Sequence, residues 1–131
     1  MFARGEAFVE EAAPKVLVSY LTGHIDATMM RHLLEQFEGW RRVNGDDLMA
    51  FHDLEQVTDY DSEARLLVTP WARQHRPQFR CVHVLVRSQA IAWGIRVLGT
   101  LTDRLLVAHH DRTSFETARA TATAARRALA G

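Results

Sequence analysis

A strand and the helix after it can be read in the stretch Leu48-Met-Ala-Phe-His-Asp-Leu-Glu-Gln-Val-Thr-Asp-Tyr-Asp-Ser-Glu-Ala-Arg-Leu-Leu-Val-Thr-Pro-Trp71. Its first part, Leu48 to Leu54, is apolar except for His52 and Asp53, which is typical of a strand buried on both faces. A polar loop follows. Beyond the loop, apolar residues recur at helical spacing and mark one helix face: Ala64, Leu67, Val68, Trp71 and Ala72.

Ser62 stands just before this helix face and is predicted to be the N-cap, because a serine oxygen can accept a hydrogen bond from an unpaired N–H of the first turn. The cap is an ordinary structural role. A strand that delivers a serine hydroxyl to a helix N-terminus also places a nucleophilic oxygen where the helix dipole favours an anion. The pattern therefore allows two interpretations of Ser62, a cap alone or a site for a phosphate.

Length and charge limit the class of protein. A chain of 131 residues predicts a single domain over residues 1–131. The 16 basic and 16 acidic residues cancel, so nucleic acid and anionic membrane surfaces are disfavoured as partners. No apolar run reaches the ~20 residues that cross a bilayer, and no signal sequence is recognisable at the N-terminus. The lone Cys81 excludes an internal disulfide, so we expect a cytoplasmic protein that is neither exported nor inserted in a membrane.

The chain before residue 48 predicts a hairpin and a helix. Ala7–Glu11 and Lys15–Leu21 read as two strands. Thr22-Gly23-His24 is predicted to break the second strand. Asp26 is the predicted N-cap of a first helix that ends near Arg41 to Gly45.

After the second helix, strand and helix patterns alternate twice more. Phe79–Val86 is a continuous apolar and β-branched run, and Ser88 is the candidate N-cap of a third helix that is predicted to end at Gly99. Leu105–Ala108 reads as the last strand. Thr113-Ser-Phe-Glu116 has the form of a capping box before an alanine-rich fourth helix that runs to about Leu129.

The resulting order, β-β-α-β-α-β-α-β-α, predicts an α/β fold. Parallel strands need crossover connections, and here helices supply them. We therefore expect a mixed β-sheet of about five strands flanked by four α-helices.

The seven histidines do not form a metal motif. His109 and His110 are adjacent at a strand end and face opposite ways, and the chain has neither a His-x-x-x-His pattern nor a pair of cysteines. His52 and His83 lie inside apolar runs and are predicted to be a hydrogen-bonded core pair across the sheet. No phosphate-binding loop, nucleophile elbow or dinucleotide fingerprint is present in the sequence. We expect a protein that is not an enzyme and that has neither a metal nor a cofactor.

Two tryptophans have different predicted surroundings. Trp71 lies on the core face of the second helix, where it should pack. Trp93 lies off the face that Ile91, Ile95 and Leu98 form on the third helix. It is either half-buried, an interface residue for self-association into a homodimer, or a lid over an apolar cavity.

Two segments together resemble the STAS domain of anti-sigma-factor antagonists. They are Leu21-Thr-Gly-His-Ile-Asp26 after a strand and Asp53-Leu-Glu-Gln-Val-Thr-Asp-Tyr-Asp-Ser62 before a helix. The strand Val84-Leu-Val-Arg-Ser88 and the helix end Leu98-Gly-Thr-Leu101 follow in the order that this family has. The resemblance covers about residues 7–125. It implies a STAS-like fold for the whole domain.

The resemblance also implies a function in bacterial transcription regulation. Proteins of this kind bind a partner anti-sigma kinase through a loop and helix start, and they are released when the kinase phosphorylates the serine of an Asp-Ser-Ser/Thr-Gly motif. By this match Ser62 is the phosphorylation candidate, Asp61 is its neighbour, and Asp26 is the other characteristic acid. The implied partner-binding residues are Asp26, Asp61, Ser62 and Glu63.

The chain departs from the family motif directly after the serine. Glu63 and Ala64 stand where the family has Ser or Thr and Gly. Three hypotheses follow: a kinase accepts Glu63, or Ser62 is not phosphorylated and Glu63 supplies a permanent negative charge, or the domain has another role. For the last, stand-alone STAS-like domains resemble lipid-carrier folds, which implies a small apolar ligand.

Overall fold

The computed structural model describes residues 5–87, 89, 91 and 105–130. Its sheet has five strands in the order β1-β2-β3-β4-β5. Their bounds are β1 (Glu6–Ala13), β2 (Val16–Ile25), β3 (Leu48–Tyr60), β4 (Phe79–Leu85) and β5 (Leu106–His109). The first two strands are antiparallel, and the pairs from β2 to β5 are all parallel. The predicted mixed sheet is confirmed.

Helices cover both faces of this sheet. The described helices are α1 (Ala27–Asn44), α2 (Ser62–His75) and α3 (Arg112–Ala130), and a short 3-10 turn, Arg76–Gln78, links α2 to β4. The crossovers through α1 and α2 place both helices on one face, because such connections between parallel strands are almost always right-handed. The helix α3 packs on the opposite face. Of the helix predicted from Ser88 to Gly99, which includes Trp93, only Gln89 and Ile91 are described, and both are helical.

Alternation along the strands produces a core on each side of the sheet. Leu17 and Leu21 of β2 pack with α1 and α2, whereas Val16 and Val18 pack with α3. Successive side chains of a strand point to opposite faces, so a continuous apolar run serves both cores.

Two strands are longer than predicted. Strand β2 does not break at Thr22-Gly23-His24, because that segment pairs with β3 through Gly23 with Val57 and His24 with Asp59. Irregular register and a φ of 73° at Gly23 accommodate the poor strand formers. Strand β3 continues past Leu54 to Tyr60 for the same reason. The lengths of β2 and β3 are therefore set by the pairing of the two strands with each other, which local composition does not reveal.

Of the four predicted helix N-caps, Ser88 lies outside the described residues, and one of the other three is confirmed. Asp26 caps α1, since its Oδ1 accepts a hydrogen bond from the Met29 N–H at 2.8 Å. Ser62 is not the N-cap of α2: it is the first helical residue, and Asp61 holds the cap position. The predicted capping box of Thr113 to Glu116 is also wrong. There the Ser114 N–H donates to Asp111 Oδ1 at 2.8 Å, and the helix starts at Arg112.

The predicted core pair of His52 and His83 is wrong as well. In the register of β3 and β4, His83 stands beside Phe51 and His52 stands beside Val84. The two imidazoles therefore point to opposite faces of the sheet.

Phe51 tests this arrangement, because it has no exposed surface and contacts the ring of Phe115 on α3. We expect Phe51→Ala to lower the free energy of unfolding by about 3–5 kcal/mol through lost burial and a cavity. Phe8→Ala is the matched control: Phe8 is 59% exposed, so the change should stay within about 0.5 kcal/mol. Urea denaturation measures both. Similar losses for the two variants would contradict the assignment of Phe51 to the core.

Candidate functional site

The loops after β2 and β3 meet at one end of the sheet. Ile25 pairs with Tyr60, and the Asp61 N–H donates to the Ile25 carbonyl at 2.9 Å. Asp26 and Asp61, the next residues of the two loops, are thereby neighbours at the same end of the sheet, as parallel strands require, and Ser62 directly follows Asp61. The structure brings the predicted site residues together and leaves all of them exposed: Asp26, Asp61, Ser62 and Glu63.

Each of these residues has a different environment. The Asp26 carboxylate is occupied by its capping bond. Asp61 forms no side-chain cap and turns toward β2 instead. Glu63 lies in the first turn of α2, where a negative charge is favourable. The Ser62 hydroxyl forms no hydrogen bond with the part of the chain that the structure describes.

His24 of β2 joins the two acidic residues beside this loop. Its Nδ1 lies 2.6 Å from Asp59 Oδ1, and its Nε2 lies 2.8 Å from Asp61 Oδ1. Carboxylates accept hydrogen bonds, so both ring nitrogens act as donors only in the imidazolium form. The bond to Asp59, more than that to Asp61, raises the pKa of His24 above its ordinary value. Sequence reasoning missed His24 because the contact depends on the register of β2 and β3.

A cavity of about 210 Å³ lies between the sheet and the helices α1 and α2. Its lining is dominated by aliphatic and aromatic side chains from four strands and both helices. Representative lining residues are Leu17, Ile25, Leu33, Phe37, Ala50, Val68, Trp71 and Val84. Trp71 lies on the inner face of α2, as predicted, and its ring centroid is 6.1 Å from that of Phe37.

Two polar side chains on the sheet wall of the cavity satisfy each other. Ser19 Oγ and His52 Nδ1 are 2.6 Å apart. Burial lowers the pKa of His52 to about 4, so the ring is neutral at pH 7. Neither residue was predicted at a cavity, since alternation inside an apolar run shows that two faces exist but not what covers them.

The sequence matches no family model and no curated protein. The structure is similar to the crystal structure of an uncharacterised protein from the DUF3478 family with a SpoIIAA-like fold, from Shewanella loihica PV-4. The TM-score is 0.67 at 13% sequence identity, and the match covers 89% of this chain and 94% of that chain. The chain has a SpoIIAA-like fold.

The SpoIIAA-like fold is the fold of STAS domains and anti-sigma-factor antagonists, so the fold that the sequence resemblance implied is confirmed. At this identity the comparison concerns the fold alone. None of the described helices is long and apolar enough to span a membrane.

His24 gives a pH prediction. A histidine whose pKa is raised by folding adds stability that is fully present below the unfolded pKa and is lost as the pH rises through the folded pKa. We expect the NMR titration of His24 to have a midpoint above 6.5, and Asp59→Asn to lower that midpoint. Asp46→Asn, which neutralises an exposed carboxylate in the loop before β3, is the control and should leave the midpoint unchanged. A His24 midpoint below 6.5 would show that the bridge does not form.

Proposed function

We propose that the protein is a STAS-type domain that carries a small apolar molecule in the cavity between the sheet and the helices α1 and α2. The observation that carries this proposal is the size of the cavity together with its apolar lining. Protein interiors are normally packed as densely as organic crystals, so an apolar pocket of this size among the described residues offers room for a ligand.

The volume can be compared with known cavities. An apolar cavity of about 150 Å³ already stays dry and binds benzene. A ligand that fills the space buries apolar surface of both partners, which is favourable by about 25 cal/mol per Å².

The polar groups of the cavity favour an uncharged ligand. Ser19 and His52 are hydrogen-bonded to each other, and His52 is neutral. Arg65 of α2 is the ionised side chain among the described lining residues. An apolar body therefore finds matching surface along the described walls of the cavity, whereas a buried ionic group would lose its hydration without adequate compensation.

Filling the cavity with a side chain tests the proposal. Val68 lies on the cavity wall in α2, so Val68→Phe should weaken binding of the apolar dye Nile red at least about tenfold, which corresponds to about 1.4 kcal/mol. Leu66→Phe is the matched control, because Leu66 is on the same helix and is 71% exposed. Fluorescence titration gives both dissociation constants. Native mass spectrometry of the protein purified from its own cells shows whether a molecule of this kind is bound.

The dye titration can also contradict the proposal. Nile red that binds equally to the Val68→Phe and Leu66→Phe variants is not bound in the cavity. A wild-type protein that binds no apolar dye and retains no small molecule would exclude the carrier function.

A second candidate function rests on the exposed loop cluster of Asp26, Asp61, Ser62 and Glu63. In this alternative the domain regulates transcription by binding an anti-sigma kinase-like protein at that end of the sheet. The exposure of all four residues and the SpoIIAA-like fold support it.

Phosphorylation of Ser62 would place two negative charges among several carboxylates. At about 6 Å from one carboxylate the repulsion is about 1 kcal/mol in water and about 5 kcal/mol at an effective dielectric constant of 20.

We therefore expect Ser62 to be a poor kinase substrate. Glu63→Ser combined with Ala64→Gly should raise its phosphorylation by a STAS-family kinase, because one carboxylate is removed and the helix start becomes accessible. Labelling in vitro of the unaltered protein, the double variant and Ser62→Ala measures this. Stoichiometric labelling of the unaltered protein at Ser62 would show that Glu63 is no obstacle.

A further inference from the structure

Three side chains form a hydrogen-bonded chain on the face of the sheet opposite the cavity. Ser114 Oγ of α3 lies 2.6 Å from His109 Nδ1, at the end of β5. His109 Nε2 lies 2.8 Å from His83 Nδ1 on β4. The chain leads from an exposed hydroxyl to two half-buried rings.

Buried aromatic rings hold both imidazoles in place. Phe51 stacks on His83 with a centroid distance of 4.8 Å and an interplanar angle of 11°. Phe115 contacts His109 nearly edge-on at 5.8 Å and 77°. The planes of His83 and His109 are inclined by only 20°, which agrees with two rings joined edge to edge by an N–H···N bond. Because Phe51 and Phe115 have no exposed surface, they restrict rotation of both histidines.

The protonation state suits proton transfer from the serine. Burial lowers the pKa of both His83 and His109, which favours the neutral form of each ring, with one N–H donor and one acceptor nitrogen. The hydrogen bonds of this chain can run in either of two directions. In one of them the Ser114 hydroxyl donates to His109 Nδ1, and the Nε2–H of His109 donates to His83 Nδ1. In that direction His83 holds His109 in the tautomer that can accept the serine proton.

We propose that Ser114 is a nucleophile that accepts the acyl group of an activated ester or thioester, with His109 as its general base and His83 as a positioning residue. A serine within hydrogen-bond reach of a histidine that a third group orients is the arrangement that activates a hydroxyl. Ser114 is exposed, so an acyl donor can reach it.

The acyl transfer is balanced without another reactant. Ser114 Oγ attacks the carbonyl carbon of the donor while its proton passes to His109 Nδ1. The tetrahedral adduct then expels the alcohol or thiol, which takes the proton back from His109, and an ester at Ser114 remains.

The surrounding charges favour an acyl group over a phosphoryl group. Arg112, in the same helical turn as Ser114, donates to Asp53 at 2.9 Å, Glu55 at 3.2 Å and Glu116 at 3.0 Å. Its charge is thereby balanced by three carboxylates, so it offers little attraction to a phosphate dianion. An acyl ester is neutral and needs no such cation.

The chain offers Ser62 as an internal control. Ser62 is also exposed in the first turn of a helix, but no histidine is bonded to its hydroxyl in the described residues. Incubation with p-nitrophenyl acetate, followed by peptide mass spectrometry, compares acetylation of the two serines in one sample. We expect acetyl at Ser114 and not at Ser62, with a stoichiometric burst of p-nitrophenolate. The burst should be absent in Ser114→Ala and unchanged in Thr121→Ala, which removes an exposed hydroxyl elsewhere on the same helix.

Two further variants separate an active role from a structural one. His109→Gln should slow acetylation of Ser114 roughly 100-fold, the contribution typical of a general base. His83→Phe should slow it to a smaller extent while circular dichroism shows the fold to be intact. In the wild type the rate should rise with pH and level off, with a midpoint below 6.5, since the neutral form of His109 is the base. The groups that face His109 and enter this titration are His83, His110 and Asp111.

The comparison within the unaltered protein decides the proposal even where a variant does not fold. Ser114 that is acetylated no faster than Ser62 would overturn it, as would a His109→Gln variant that is folded and reacts at the wild-type rate. Either result would mean that the hydrogen-bonded chain only fastens α3 to the sheet.

Discussion

The parallel pairing of β3 with β2 on one side and with β4 on the other is the constraint on which the other features depend. It sets Ile25 beside Tyr60, and so it places the loops with Asp26 and Ser62 next to each other. It also determines which side chains of β3 point to each face of the sheet, so that Ala50 faces the cavity and Phe51 faces α3. A slip of one residue would exchange the two faces and remove both the apolar cavity and the support for His83.

Polar side chains inside β3 help to maintain this register. His52 has Ser19 as a partner on the cavity face, and Asp53, which is 4% exposed, has Arg112 as a partner on the α3 face. A shifted register would leave these groups buried and unpaired, at a cost of about 1–3 kcal/mol for each neutral group and more for the carboxylate. The apolar residues of the strand supply most of the burial, whereas the two polar residues distinguish the native register from its neighbours.

The sequence predicts those features that depend on local pattern alone. The alternation of strands and helices, the cap at Asp26 and the meeting of the two loops all follow from periodicity and from the geometry of parallel sheets. The extra length of β2 and β3, the bridge at His24 and the true partners of His52 and His83 do not follow, because each depends on how one strand is aligned against another. An error of one position in the alignment of β3 against β4 is enough to predict His52 and His83 on the same face of the sheet, although they lie on opposite faces. Ser62 was displaced from its predicted cap in the same way, since Asp61 is held by the Ile25 carbonyl on the neighbouring strand.

The cavity and the acidic loop cluster share structural elements, and this links the two candidate functions. Ile25, Tyr60 and Ala64 line the cavity, and they are the immediate neighbours in sequence of Asp26, Asp61 and Glu63. Ala64 is 1% exposed and lies in the first turn of α2, so a ligand that presses on this wall acts on the backbone that carries Ser62. If a partner protein binds the loops with different affinity in the filled and empty forms, the ligand must respond to the partner by the same factor, because coupling between two binding sites is reciprocal. A carrier and a regulatory module would then be two descriptions of one equilibrium, with occupancy of the cavity as the signal and the exposed loop cluster as the surface that binds the partner.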